Sequence, residues 1–315
     1  MCPERLPVVV IVAGPTASGK SGLALDLAAE FGGTIVNGDS QQIYRDLRIL
    51  SARPDAAAEA RVPHRLYGFL DAAERGSVAR WRDLVLAEIA AATETGRLPI
   101  VVGGTGLYLR ALRHGLAPVP DVPADIRAEG AALYKAVGGD GFRERLAALD
   151  PEAAARLPPG DRQRLVRAWE VVRATGVPLR RWQAGTDVRA PYRFVTILVL
   201  PPREPLYAAC DERFAAMVES GALDEVAALA ARGLSPDLPA MKAVGVRELL
   251  AHLRGETSLA EAVGAGQRAT RRYAKRQMTW FRHQIVPDRT VERQYSPDLR
   301  PDLTRFIRES RGNSG

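Results

Sequence analysis

The chain of 315 residues predicts an α/β fold: a parallel sheet core flanked by helices, with an all-helical insertion domain. Three observations predict it. Short β-branched runs alternate with helix-length segments in the N-terminal third, the pattern of a parallel sheet covered by helices on both faces. The first run leads directly into GPTASGKS, Gly14–Ser21, a complete G-x-x-x-x-G-K-[ST] motif. From about Gly115 to Pro191 the texture changes to Ala/Arg/Leu-rich segments that start with prolines and contain no run resembling a buried strand.

Taken in order, VVVIVA at Val8–Ala13 reads as the first strand, because an unbroken apolar run closed by Gly14 suits a strand buried on both faces. A helix over Gly19–Glu30 follows, then a strand at Thr34–Asn37, a helix over Val78–Glu94 and a strand at Pro99–Val102. A fourth strand is expected at Phe194–Leu200, after which the chain reads as helical through Gln284. The segment from Pro287 is polar and proline-containing, which predicts a loosely ordered tail. The expected domains are therefore a P-loop NTPase-like core from 1–114 and 192–286, a helical insertion over 115–191, and the tail over 287–315. No internal repeat is visible.

Composition excludes several classes. With 46% hydrophobic residues the chain can bury a sizeable core. Cys2 and Cys210 cannot build a disulfide framework or a four-ligand zinc site, and His64, His114, His252 and His283 show no ligand spacing. Glu4 and the apolar run entering the phosphate loop do not form a signal peptide, and no apolar stretch reaches membrane-spanning length. A reduced, cytoplasmic protein without a membrane partner is expected.

In a parallel sheet the loops after successive strands emerge on one edge, where ligands bind. The first is the cradle Gly14, Pro15, Thr16, Ala17, Ser18, Gly19, Lys20 and Ser21. Its amides and the following helix N-terminus suit anionic oxygens, Lys20 neutralises charge, and Ser21 can hold Mg²⁺. The second, NGDSQQIY at Asn37–Tyr44, places Asp39 just past a strand. Asp39 reads as a Mg²⁺ ligand, as a general base, or as an Asx-turn or helix cap. The third, PIVVGGTGLYLRAL at Pro99–Leu112, offers Gly103, Gly104 and the Thr105 hydroxyl. Its glycines serve close approach to a ligand or a tight strand-to-helix turn.

The ordered set GPTASGKS, DSQQIYR, IVVGGTGLYLRAL, DRQRLVRAWEV and TRRYAKRQMTWFR resembles the tRNA dimethylallyltransferase family, over nearly the whole chain to about Arg282. The resemblance implies transfer of a dimethylallyl group from its diphosphate to N6 of the adenosine beside the tRNA anticodon. Diphosphate is then the leaving group held by the loop, with Mg²⁺, Lys20 and Thr16. It also implies that Asp39 is the base toward the exocyclic amine and that Arg213, in LYAACDERFAAMVESG, is a second anion clamp. Phe214, Met217 and Val218 would then be core.

RNA contacts are implied for Asp39, Ser40, Gln41, Gln42, Thr105, Lys242 and Arg247, and in the insertion for Gln163, Arg164, Leu165, Val166 and Arg167. In the C-terminal helix they are implied for Lys275, Arg276, Gln277, Trp280 and Arg282. The residues themselves point the same way, since Ala262–Pro287 holds no acidic residue while Arg268, Arg271, Arg272, Lys275, Arg276 and Arg282 are cationic. A solvated basic face over a core aromatic stripe is the plainer alternative. The two basic stretches would clamp an anticodon arm, and the target base would leave its stack. Ile49-Leu50-Ser51-Ala52-Arg53-Pro54 departs from the family's I-G-T-A-K-P, and Gly245-Val246-Arg247-Glu248 from its G-Y-[KR]-E, so Val246 is not taken to stack. The rival readings are a P-loop small-molecule kinase, an isopentenyltransferase acting on free adenine nucleotides, and a non-enzymatic RNA-binding switch. No protein partner is inferred, and a monomer is expected.

Overall fold

A computed structural model describes residues 6–184 and 189–312. Cys2 and Glu4 lie outside them. In chain order the elements are β1 (Val8–Ala13), α1 (Lys20–Phe31), β2 (Thr34–Asn37), α2 (Ala56–Arg61), β3 (His64–Arg65), α3 (Val78–Glu94), β4 (Pro99–Gly103) and α4 (Gly106–His114). There follow α5 (Ala124–Ala147), α6 (Pro151–Arg156), α7 (Arg162–Thr175) and α8 (Leu179–Gln183). The chain then returns through β5 (Arg193–Val199), α9 (Arg203–Met217), α10 (Leu223–Ala231), α11 (Val246–Leu253), α12 (Leu259–Gln284), β6 (Arg289–Val291) and α13 (Arg300–Gly312).

The six strands form one sheet in the order β3-β2-β4-β1-β5-β6, parallel at every described pairing. Central β1 is apolar at every position because both its faces are covered. Val10 and Val12 pack with Leu23 and Leu27 of α1, whereas Val9 and Ile11 pack with Trp81 of α3, Leu109 of α4 and Phe281 of α12. The chain order reverses beside β1, so the loops after β1, β2 and β4 meet at one edge, the usual crevice of such sheets.

Residues up to Arg113 and from Ala190 form one compact unit, and His114–Arg189 a second. The regular elements among the second unit's described residues are all helices, with Phe142, Leu146, Leu165 and Trp169 at its core. Its longest helix, α5, breaks at Gly138, where φ is 67°.

The described part, 287–312, of the segment read as a loosely ordered tail is built into the first unit instead. β6 extends the sheet beside β5, and Leu303 and Ile307 of α13 join the core that contains Val10 and Leu27. Its polar composition misleads because α13 buries only the narrow stripe Leu303, Thr304 and Ile307, and β6 is three residues long. β3, with two residues, is likewise too short to leave a periodic signal.

Candidate active site

The first loop leaves β1 at Gly14, where a Cβ would lie 2.5 Å from the Val199 carbonyl oxygen. Ala17 (φ 62°) and Gly19 (φ 87°) are both left-handed, and this curl turns successive N–H groups toward one concavity. α1 begins there with no side chain capping its N-terminus and no acidic residue in its first turn, so its exposed N–H groups favour an anion. Lys20 is buried, and its Nζ donates to the Pro15 carbonyl at 3.1 Å. Burial lowers its pKa from 10.5 to about 8, Asp39 opposes that shift, and Arg213 adds to it.

Asn37 sets the second loop. It is fully buried, its Nδ2 donates to the Asp39 and Leu66 carbonyls, and its Oδ1 accepts from the Asp39 N–H. Trp81 Nε1 donates to the Asn37 carbonyl at 2.9 Å. Asp39 Oδ1 accepts from the Gln41 N–H at 2.9 Å, so the turn reading holds for one carboxylate oxygen. Oδ2 lies on the side of the third loop, 3.4 Å from where a Cβ on Gly104 would sit. Thr105 Oγ1 joins the two loops: it accepts from the Ser40 N–H at 2.9 Å and donates to Ser40 Oγ at 3.1 Å.

The glycines of the third loop admit protein. A Cβ on Gly103 would meet Gly38 at 2.1 Å, one on Gly104 would meet Gln277 Nε2 at 2.3 Å, and one on Gly106 would meet the Trp280 ring at 2.2 Å. α12 therefore docks directly on this loop. Gln277 bridges two loops, with Nε2 donating to the Gly104 carbonyl and Oε1 accepting from the Thr16 N–H, each at 2.8 Å.

Thr16, Asp39 and Arg213 line one cleft with Leu50, Phe214 and Met217. Its charged groups are the Arg213 guanidinium and the Asp39 carboxylate, and the rest of its lining combines the apolar Leu50, Phe214, Met217 and Val244 with the polar Gln41, Ser51, Thr270 and Tyr273. Arg213 Nη1 reaches Thr16 Oγ1 at 3.5 Å. Desolvation draws the Arg213 pKa below its ordinary value, and Asp39 opposes it. Phe214 is buried, while Met217 and Val218 pack half-buried beside it, as expected for the apolar side of α9. Among the described residues no group of three His, Cys, Asp or Glu could hold a metal ion. Ser21, exposed in the first turn of α1, offers a hydroxyl beside the cradle, a donor that fits Mg²⁺ bound chiefly through phosphate oxygens.

The expected RNA contacts divide. Lys275, Arg276 and Arg282 are exposed on α12, and so are Arg247 on α11 and Lys242, which pairs with Asp237 at 2.9 Å. Gln163 and Arg164 are exposed on α7, and Arg167 is partly so. Others have different work. Gln277 is buried with both ends of its amide bonded, and Gln42 Nε2 donates to the Ser51 and Ala52 carbonyls at 2.9 Å. Leu165 belongs to the core of the second unit with Val166 packed against it, because an i, i+3, i+4 stripe must face inward. Trp280, expected to contact RNA, lies half-buried over Gly106 and edge-on to Phe281. Arg271 pairs with Asp211 of α9.

The IPP transferase family model matches residues 42–284. This chain belongs to that family. It is 61% identical over 286 residues to the tRNA dimethylallyltransferase of Rhodospirillum centenum, covering 90% of this chain and 91% of that one. To that of Phenylobacterium zucineum it is 56% identical, covering 89% and 91%. The crystal structure of a tRNA isopentenylpyrophosphate transferase from Bacillus halodurans superposes with TM-score 0.69 at 33% identity, over 98% of this chain and 97% of that one. A eukaryotic dimethylallyltransferase acting on tRNA superposes with TM-score 0.83 at 25% identity, over 98% and 80%.

Tyr273, Cys210, Thr270 and Val244 also line the cleft, a place to which the sequence did not assign them. Burial raises the Tyr273 pKa, with hydrogen bonds to Thr105 and Gln41 opposing the shift. A signal existed: Thr270, Tyr273 and Gln277, at i, i+3 and i+7, put polar groups on the face of α12 that also carries buried Ala274 and Phe281. Of the departures from the family pattern, Leu50 and Val246 are buried in one cluster with Phe214, and Leu50 and Ser51 also line the cleft.

Proposed function

We propose that the chain transfers the dimethylallyl group of dimethylallyl diphosphate to N6 of the adenosine 3′-adjacent to the anticodon, position 37, of tRNA, and releases diphosphate. The C1–O bond of the allylic diphosphate breaks, the N6–C1 bond forms, and the N6 proton passes to Asp39. The observation that carries this reading is the single cleft that Thr16, Arg213 and Asp39 line together with the apolar Leu50, Phe214 and Met217. The polar groups suit a diphosphate and an amine, and the apolar ones suit a five-carbon chain.

The allylic carbon is electrophilic once the leaving group is neutralised, so catalysis reduces to charge stabilisation and alignment. Lys20, the loop amides and the α1 N-terminus hold the departing oxygens, and Arg213 with Thr16 stabilises them from the cleft. Mg²⁺, held by Ser21 and the diphosphate, would add positive charge at the leaving group. Asp39 Oδ1 is fixed by the Gln41 amide, which orients Oδ2 toward an incoming amine. The cationic faces of α12 and α7 suit the phosphates of a tRNA anticodon arm. A cytoplasmic location goes with that substrate.

The test is incubation of the protein with unmodified tRNA, Mg²⁺ and dimethylallyl diphosphate, followed by nucleoside mass spectrometry. The prenyl-adenosine mass is expected. Its absence, together with rapid ATP turnover, would support a kinase or NTPase switch instead.

A further inference from the structure

The phosphate loop is gripped from behind by a segment outside the matched family region. After β6, the chain at 294–295 crosses the outer side of the loop before α13 packs on α1. Gln294 Nε2 donates to the Ala17 carbonyl at 3.1 Å, and the Tyr295 N–H donates to the Ser18 carbonyl at 3.2 Å. The Tyr295 side chain covers the loop's exit: a Cβ on Gly19 would meet it at 3.0 Å and one on Gly22 at 3.5 Å. Its hydroxyl donates to Asp26 Oδ2 on α1 at 2.7 Å. The segment is anchored at both ends, where the Leu200 N–H donates to the Val291 carbonyl and Leu303 and Ile307 enter the core.

These bonds fall where the loop is least self-supporting. Ala17 holds a left-handed conformation without being glycine, a strained state that neighbours must fix. A peptide unit that turns its carbonyl outward turns its N–H the other way. Donors that hold the Ala17 and Ser18 carbonyls outward therefore fix the other side of the same two peptide units: the Ser18 N–H, which closes a turn on the Pro15 carbonyl at 3.4 Å, and the Gly19 N–H, which is turned toward the concavity.

We infer that Gln294 and Tyr295 are positioning residues for the diphosphate, acting through the loop carbonyls they bind; this rests on the transferase reading above. They touch no reacting atom. Their contribution is a loop already curled before the anion arrives, so its binding bears less ordering cost.

The experiment measures binding of inorganic diphosphate with Mg²⁺ by calorimetry, and tRNA binding separately, for the full chain and three variants. Gln294→Glu keeps the shape but sets a carboxylate against the Ala17 carbonyl. Tyr295→Ala removes the cover, and Tyr295→Phe restores the ring without the hydroxyl. Gln294→Glu should weaken diphosphate binding about three- to tenfold, the factor of one net hydrogen bond. Tyr295→Ala keeps the backbone bond to the Ser18 carbonyl and should weaken binding about as much by removing the ring, packed against Gly19 and Gly22, that pins that backbone in place. Tyr295→Phe should recover most of the loss, and tRNA affinity should hold in all three. Parental diphosphate affinity in Gln294→Glu and Tyr295→Ala would overturn the inference. So would a parallel loss of tRNA affinity, which marks general loosening. A parent protein that binds diphosphate but forms no prenyl-adenosine would refute the transferase reading alone, whereas an active parent with unresponsive variants would refute the positioning role alone.

Discussion

Lys20 makes diphosphate affinity depend on pH in a range where ordinary lysines do not titrate. Burial holds its pKa at about 8 instead of 10.5. That depression corresponds to roughly 3 kcal/mol against the charged form. An alkyl diphosphate is fully ionised above about pH 7, and its charges beside the ammonium push the lysine pKa back up. In the free protein the charged fraction falls from about nine-tenths at pH 7 to about one-tenth at pH 9, so the Kd for dimethylallyl diphosphate should rise about tenfold across that interval. Binding at pH 9 should take up close to one proton per site, and little at pH 7. The sign for stability is opposite. A lysine whose folded pKa is lowered binds fewer protons folded than unfolded between pH 8 and 10.5, so its contribution to the stability of the empty protein rises with pH through that window. Calorimetry in two buffers of different ionisation enthalpy reads the proton uptake, and Lys20→Arg, always charged, should give a flat profile. A parental Kd that stays constant from pH 7 to 9 without proton uptake would refute the burial argument.

Asp39→Asn keeps the acceptor for the Gln41 amide, so the loop should fold and tRNA should bind, while kcat drops about 10²–10⁴-fold in single-turnover assays; near-parental turnover would return Asp39 to a capping role. Neutralising Lys275 and Arg276, both exposed on α12, should lower the slope of log K for tRNA against log salt by about 0.7–0.9 per lost phosphate contact, measured by fluorescence titration. An unchanged slope would make that face merely solvated. Gly104→Ala places a methyl 2.3 Å from Gln277 Nε2, which should cost about 1–3 kcal/mol in denaturant unfolding and lower kcat by displacing the partner of Thr16. Unaltered stability would mean that the glycine serves a ligand.

The strands of the sheet centre were legible because burial on both faces leaves continuous β-branched runs, and the cradle because phosphate binding requires glycines at fixed spacing. The edge elements were not. β3 and β6 pair on one side only and are too short for periodicity, and α13 buries a single stripe. Among site residues, the sequence named groups by chemistry and could not say which way each one faced. Gln277 and Trp280 share a helix with Lys275 and Arg276, yet they sit on its docking side, and the glycines of the third loop exist to receive them. The same docking brings Tyr273 to the cleft and ties the Thr16 amide to α12. Helix α12 thus presents cations outward and hydrogen-bond struts inward, so a substitution on either face has its own readout. Charge changes on the outer face alter salt dependence. Changes on the inner face alter the phosphate loop, because Gln277 connects Thr16 to Gly104, and with it the position of the Thr16 hydroxyl that Arg213 reaches.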